Sequence, residues 1–169
     1  MRLKDLAAIV TGGARGIGAG IARCLVEDGA RVALLDIDGG EAERAAAELG
    51  TGHLGIGADL SDEETAAVAV EQAVAHLGRL DILVNNAGGG NRRTAKANGP
   101  PFTRVQQEGW DEHMAINLRT VFAATKAAIP HLTRQNSASI VNAFAPSFRQ
   151  AAWACWSVWI RTSPISAPS

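Results

Sequence analysis

The glycines of Ala8-Ile9-Val10-Thr11-Gly12-Gly13-Ala14-Arg15-Gly16-Ile17-Gly18 are the residues whose type and spacing point most directly to chemistry. The stretch reads as a short apolar strand, a glycine-rich turn and the first turn of a helix. Gly12 permits the sharp exit from the strand, because glycine alone takes positive φ without steric cost. Gly16 lets the backbone approach a ligand closely, and Gly18 lets the new helix pack against the sheet. The helix N-terminus, with its unpaired N–H groups and positive dipole end, suits a pyrophosphate. A glycine-rich turn alone is equally an ordinary tight turn, so other residues must decide. Asp36 lies about twenty residues on, where a carboxylate accepts hydrogen bonds from an adenosine ribose and repels a 2′-phosphate. Ile37 and Asp38 add no compensating cation. The other reading of Asp36 is a strand-end turn residue.

These groups need strands and helices to hold them. Ile17, Ile21, Leu25 and Val26 recur at helical spacing, with Gly29 as C-cap candidate. RVALLD, residues 31–36, is a nearly continuous apolar run, the mark of a strand covered on both faces. A helix rich in alanine and glutamate is predicted over residues 40–49, ended by Gly50, and a third strand over 53–59. Ser61 is the expected N-cap of the next helix, with Glu64 completing a capping box. That helix runs to Leu77-Gly78. LDILV, residues 80–84, is a fourth strand, broken by Asn85-Asn86-Ala87-Gly88. Residues 89–103 read as a polar loop, long enough for a functional lid or a disordered insert. Its Asn91-Arg92-Arg93 run reads as solvated surface. Residues 110–133 read as helical, with Trp110, Met114 and Val121 in the core, and SIVN, residues 139–142, as a fifth strand. Strands alternating with helices imply βαβ crossovers, and so an α/β fold with a parallel, doubly wound sheet.

Composition narrows the classes. The 169 residues, 47% hydrophobic and 20% charged, describe one globular domain with a real core. A net charge of −1 offers no general attraction for nucleic acid or anionic membranes. Cys24 and Cys155 are too few for a disulfide framework and lie in no metal-ligand spacing, so no metal site is expected. Cys24 reads as a buried free thiol. The N-terminus has no signal-peptide pattern and no apolar run reaches membrane-spanning length, so the expectation is a cytoplasmic protein. Character changes at residue 143. All eighteen glycines lie at or before Gly109, and residues 143–169 lack acidic residues and lysine but hold three of the four tryptophans. The expected division is therefore a nucleotide-binding domain over residues 1–142 and a divergent Trp-rich tail over 143–169. The spacing of Trp153, Trp156 and Trp159 is that of one face of a short helix. No turn or cap signals frame that segment, so a poorly specified terminal stretch is the expectation.

Over residues 3–142 the chain resembles the short-chain dehydrogenase/reductase family. Thr11-Gly12-x-x-x-Gly16-x-Gly18 matches the family's glycine signature, and Asn85-Asn86-Ala87-Gly88 the segment after its fourth strand. Asp59-Leu60 matches the acidic residue beside the adenine, and Asn117 the helix asparagine of the catalytic tetrad. The resemblance implies a Rossmann-type sheet in the order 3-2-1-4-5. It also implies an oxidoreductase moving a hydride between a nicotinamide and an alcohol or carbonyl substrate, and a homo-oligomer. The implied cofactor-binding residues are Thr11, Gly12, Arg15, Gly16, Ile17, Gly18, Asp36, Asp59, Leu60, Asn86, Ala87 and Gly88. Asn117 is the one tetrad member present, holding a water in the family's proton relay. Arg15 sits where some NADP-using relatives carry a basic residue. Asp36 outweighs it, so NAD is expected over NADP. The bland alternatives are a helix cap for Asp59, a turn for Asn86 and Gly88, and a mid-helix kink for Asn117.

The pattern then stops. The family's general acid/base is a tyrosine, tuned by a lysine four residues later, because an unperturbed phenol near pKa 10 is a poor base at neutral pH. This chain has no tyrosine, and its last lysine is Lys126. Family spacing puts the serine near Ala145, the tyrosine near Val158 and the lysine near Thr162. The expectation is a family member truncated after the fifth strand, with an aberrant tail and no activity on its own. An open fifth-strand edge and an exposed apolar face on the helix around residues 118–128 follow, which makes an oligomer doubtful. A non-catalytic NAD-binding or partner-binding module and a non-functional fragment remain as alternatives.

Overall fold

β1 (Ala7–Thr11) lies at the middle of the sheet, between β2 (Arg31–Asp36) and β4 (Ile82–Asn85). A computed structural model of the chain describes residues 2–88, 106–144 and 156–162. With β3 (Leu54–Gly57), β5 (Ala138–Phe144) and β6 (Trp156–Thr162), the sheet runs β3-β2-β1-β4-β5-β6. The first five strands are parallel, and β6 is antiparallel to β5. The helices are α1 (Gly16–Glu27), α2 (Gly39–Glu48), α3 (Glu63–Leu77), α4 (Gln107–Met114) and α5 (Thr120–Leu132). A π-helical turn, Ala115–Arg119, joins α4 to α5.

Side chains alternate across a strand, so β1 feeds two cores. Ala7 and Ile9 join Leu35, Leu83 and the alanine-rich face of α3 on one side, with Ala123, Ala128 and Leu132 of α5. Ala8 and Val10 join Val32, Leu34 and Val84 on the other, against Ala22 of α1 and Ala42 and Ala46 of α2. Each fully buried Leu or Ile contributes about 2 kcal/mol by burial alone. The small helix residues matter as much, because they let backbones approach. A Cβ on Gly55 would stand 2.2 Å from the Ala42 carbonyl, so α2 rests directly on β3.

At the foot of β4 a buried carboxylate ties the sheet together. Asp81 accepts the Ala7 N–H at 2.9 Å and both arms of Arg79, from Nε at 2.8 Å and Nη2 at 2.6 Å. The carboxylate beside Arg79, first by hydrogen bonding and then by charge, raises the guanidinium's pKa further.

Several expectations change in detail. Asp62, not Ser61, caps α3, accepting the Thr65 N–H at 2.8 Å. Ser61 is drawn away because its hydroxyl donates to Asp59 at 2.6 Å. Cys24 is exposed: it lies two residues past buried Ala22, about 200° around α1. Trp110 is also exposed rather than in the core, and Met114 and Val121 are only half-buried. The larger correction concerns the tail. Residues 156–162 form β6, pairing with the whole of β5 from Ala138↔Thr162 to Phe144↔Trp156, so β5 is not an open edge. Trp156 and Trp159 therefore lie on a strand, not a helix face. Aromatic and β-branched residues favour that state, and an unpaired strand edge recruits it. The polar loop at residues 89–103 and Trp153 lie outside the described residues.

Candidate functional site

The order β3-β2-β1-β4-β5 reverses direction between β1 and β4, and ligands of such sheets bind beyond the strand C-termini at that switch. Thr11 ends β1 there. Its hydroxyl accepts the Asn86 N–H at 3.0 Å and the Ala87 N–H at 2.9 Å, and donates to the Val84 carbonyl at 3.3 Å. One donor and two lone pairs are thereby all used. The Asn86 side-chain amide returns two bonds, to the Thr11 and Gly12 carbonyls, each 3.1 Å. The turns after β1 and β4 form one frame.

The glycines fit this frame for separate reasons. Gly12 has φ +61°, and a Cβ on it would lie 2.9 Å from the Ala87 Cα. A Cβ on Gly18 would lie 2.1 Å from the Gly12 carbonyl oxygen, so the start of α1 also packs directly on the turn. A Cβ on Gly13 would stand 2.9 Å from the Leu34 side chain, a constraint the spacing argument passed over. Gly16 differs. Its φ is +57°, yet among the described residues nothing lies within 4 Å of where its Cβ would point. Space stands open there, at the mouth of α1. No side chain caps α1 at Arg15, whereas Asp38 caps α2 and Asp62 caps α3. The first turn of α1 also carries no acidic residue, and Ile17 is exposed there. An uncapped, positive helix end beside open space is what a pyrophosphate requires.

Half-buried Asp36 closes the other side. One carboxylate oxygen accepts the Ala14 N–H at 3.1 Å, and the other the Asp38 N–H at 3.1 Å. Each oxygen keeps a lone pair for a further donor. Arg15 pairs with Asp38, Nη2 to Oδ2 at 2.5 Å. Asp59 stays exposed, accepts the Ser61 N–H and hydroxyl, and does not cap α3, while Leu60 beside it is buried. The Ala58 N–H donates to the Asp36 carbonyl at 2.8 Å, which brings the ends of β2 and β3 side by side.

Asn117 sits in the π-helical turn, not at a simple kink. A Cβ on Gly88 would lie 2.8 Å from its Oδ1, so the loop after β4 and the asparagine are in contact range. Beneath them lies a group that the motif alone did not single out. Buried Asn85 donates to Thr125 Oγ1 at 3.1 Å and Asn142 Oδ1 at 2.9 Å, joining β4, α5 and β5, and its own Oδ1 has no partner among the described residues. A polar side chain within an otherwise apolar strand, ILVN, was the available signal.

The structure thus gathers Thr11, Gly12, Gly16, Gly18, Asn86, Ala87, Gly88 and Asn117 along one rim. Asp36, Arg15 and Asp59 stand at its far end. Positions 158 and 162, where family spacing puts the tyrosine and lysine, are strand residues of β6, and position 145 lies outside the described residues. Among the described residues no cluster of three or more His, Cys, Asp or Glu could hold a metal, and no helix is long and apolar enough to cross a membrane.

Comparison with known proteins agrees with this fold. The family model described as short chain dehydrogenase matches residues 6–157. The "Probable galactose dehydrogenase GalD" of Rhizobium meliloti is 40% identical over 144 residues, covering 83% of this chain and 54% of that protein. The 2-(S)-hydroxypropyl-CoM dehydrogenase 3 of Xanthobacter autotrophicus is 39% identical over 144 residues, with the same two coverages, 83% and 54%. Among solved structures, the 3-ketoacyl-(acyl-carrier-protein) reductase from Brucella melitensis complexed with NADH superposes with a TM-score of 0.72. It is 33% identical, over 83% of this chain and 57% of that one. The chain spans about half the length of the curated relatives it matches.

Proposed function

The chain belongs to the short-chain dehydrogenase family, and from that premise we propose that its rim of turns binds NAD in preference to NADP. The observation that carries this reading is the uncapped N-terminus of α1, opening beside Gly16 and flanked by Asp36. In it, the first turn of α1 holds the pyrophosphate, with Gly12, Gly16, Ile17 and Gly18 shaping the approach. Asp36 receives the adenosine ribose hydroxyls with its remaining lone pairs and disfavours a 2′-phosphate by charge. Asp59 and Leu60 flank the adenine, and Asn86, Ala87 and Gly88 line the nicotinamide side. Asn117 orders a water beside them.

A bound nicotinamide would supply a hydride acceptor or donor at its C4. Proton transfer is a separate requirement, and this chain has no tyrosine to meet it. We therefore assign the chain binding without turnover of alcohols or carbonyls. Residues 1–142 form the binding domain in this reading, with β6 of the tail continuing the same sheet. A reducing, cytoplasmic setting suits the exposed free thiol of Cys24.

Thermal unfolding with and without NADH tests the proposal. NADH at a hundredfold over its dissociation constant adds about 2.7 kcal/mol, a Tm rise of roughly 5–10 °C for a domain this size. Asp36→Ala should remove most of that rise. An unchanged Tm with the wild-type chain, or sustained alcohol oxidation by it, would contradict the reading.

A further inference from the structure

We infer that Asp38 is a specificity residue: it holds the Arg15 guanidinium and so keeps the basic side chain of the glycine turn from recruiting a 2′-phosphate. The inference rests on the reading that this cleft binds NAD. Arg15 is in a place to matter. Its neighbour Ala14 donates to Asp36 at 3.1 Å, and the guanidinium meets Asp38, whose own N–H donates to that same Asp36 carboxylate. A planar guanidinium is the side chain best matched to phosphate oxygens, and an arginine near this point is how related clefts accommodate a 2′-phosphate. Read alone, Arg15 argues for NADP.

Asp38 removes that argument because it is fixed in place. Its Oδ1 accepts the Glu41 N–H at 3.2 Å as the cap of α2, its own N–H donates to Asp36 at 3.1 Å, and its Oδ2 meets Arg15 at 2.5 Å. Cap and ion pair use different oxygens, so neither competes with the other. Glu41, next along, is paired with Arg44 and adds no net charge. The ribose end of the cleft therefore carries two carboxylates, Asp36 and Asp38, against one guanidinium. A 2′-phosphate there meets net negative charge and an arginine already engaged.

The test is the ratio of NADPH to NADH affinity, measured by fluorescence titration at about 0.15 M salt, where longer-range charge effects are damped. Asp38→Asn keeps a good N-cap and loses the charge. Asp38→Ser caps as well and serves as an independent neutral variant. Each should raise the ratio about five- to tenfold, the scale of one surface charge acting at contact range. In an Arg15→Gln background the same substitutions leave only the lost repulsion of Asp38 itself and should raise it about half as much or less. An unchanged ratio in both neutral variants, or an equal rise without Arg15, would overturn the inference while leaving NAD binding intact. Failure of the wild-type chain to bind either dinucleotide would overturn both.

Discussion

Replacing Thr11 by valine is the sharpest single perturbation of the frame that joins β1 to β4. The two side chains are nearly the same size, so packing against Val84 and its neighbours is kept and only the hydroxyl is lost. Three hydrogen bonds go with it: those accepted from Asn86 N and Ala87 N, and the one given to Val84 O. Thr11 is 2% exposed, so water has poor access to the groups left behind. An orphaned N–H costs about 1–3 kcal/mol, and the two here are only partly buried, so a loss of about 2–3 kcal/mol is expected. Urea unfolding followed by tryptophan fluorescence reads this as a midpoint drop of about 1 M at unchanged slope. Thr11→Ser keeps the hydroxyl and gives up a methyl group, which costs about 1 kcal/mol. NADH affinity should fall in the valine variant and hold in the serine variant, because the two turns lose their register only in the former. A valine variant within about 0.5 kcal/mol of wild type would refute the idea that this hydroxyl clamps the rim.

Gly55→Ala should cost about 2 kcal/mol or more, because a Cβ 2.2 Å from the Ala42 carbonyl must push α2 off β3; an unchanged urea midpoint would count against that contact. Asp81→Ala leaves the buried Ala7 N–H without its acceptor and Arg79 without its partner, an expected loss of about 2–4 kcal/mol by the same assay. His53 carries a pH signature. Burial, and then the nearby His76, lower its pKa below the ordinary 6.5, and its Nδ1 accepts the Val32 N–H at 3.1 Å. The unfolded chain thus binds the proton more readily, so this contribution is full above about pH 6.5 and is lost as pH falls toward the depressed folded value. His53→Gln should flatten the fall in stability as pH drops below about 6.5; an equally steep fall in the variant would place the titration elsewhere.

The parallel sheet was legible because its strands advertise themselves. RVALLD has no polar interruption between its ends, and only a strand buried on both faces needs that. The helices followed from period and glycine stops: Gly29, Gly50 and Gly78 all take positive φ just past a helix. Strand β6 was not legible. Its pairing partner, β5, ends at Phe144, well before Trp156, and Trp-x-x-Trp spacing is ambiguous until the edge it covers is known. Ser61 and Asp62 are both good caps, and only the competing pull of Asp59 on the Ser61 hydroxyl decides between them. In the site, the glycine spacing was readable because each glycine answers a local steric demand. The Arg15–Asp38 pair was not, since it joins residues 23 apart through the fold. Nor was the role of Asn85, which depends on Thr125 and Asn142 arriving from two other elements.

Amide hydrogen exchange on the purified chain, with and without saturating NADH, tests the central claim most directly. The account predicts slowed exchange at residues 12–18 and 86–88, the two turns of the rim, with α3 and the foot of the sheet unaffected. Protection confined to other segments, or none at all with NADH present at millimolar concentration, would contradict it.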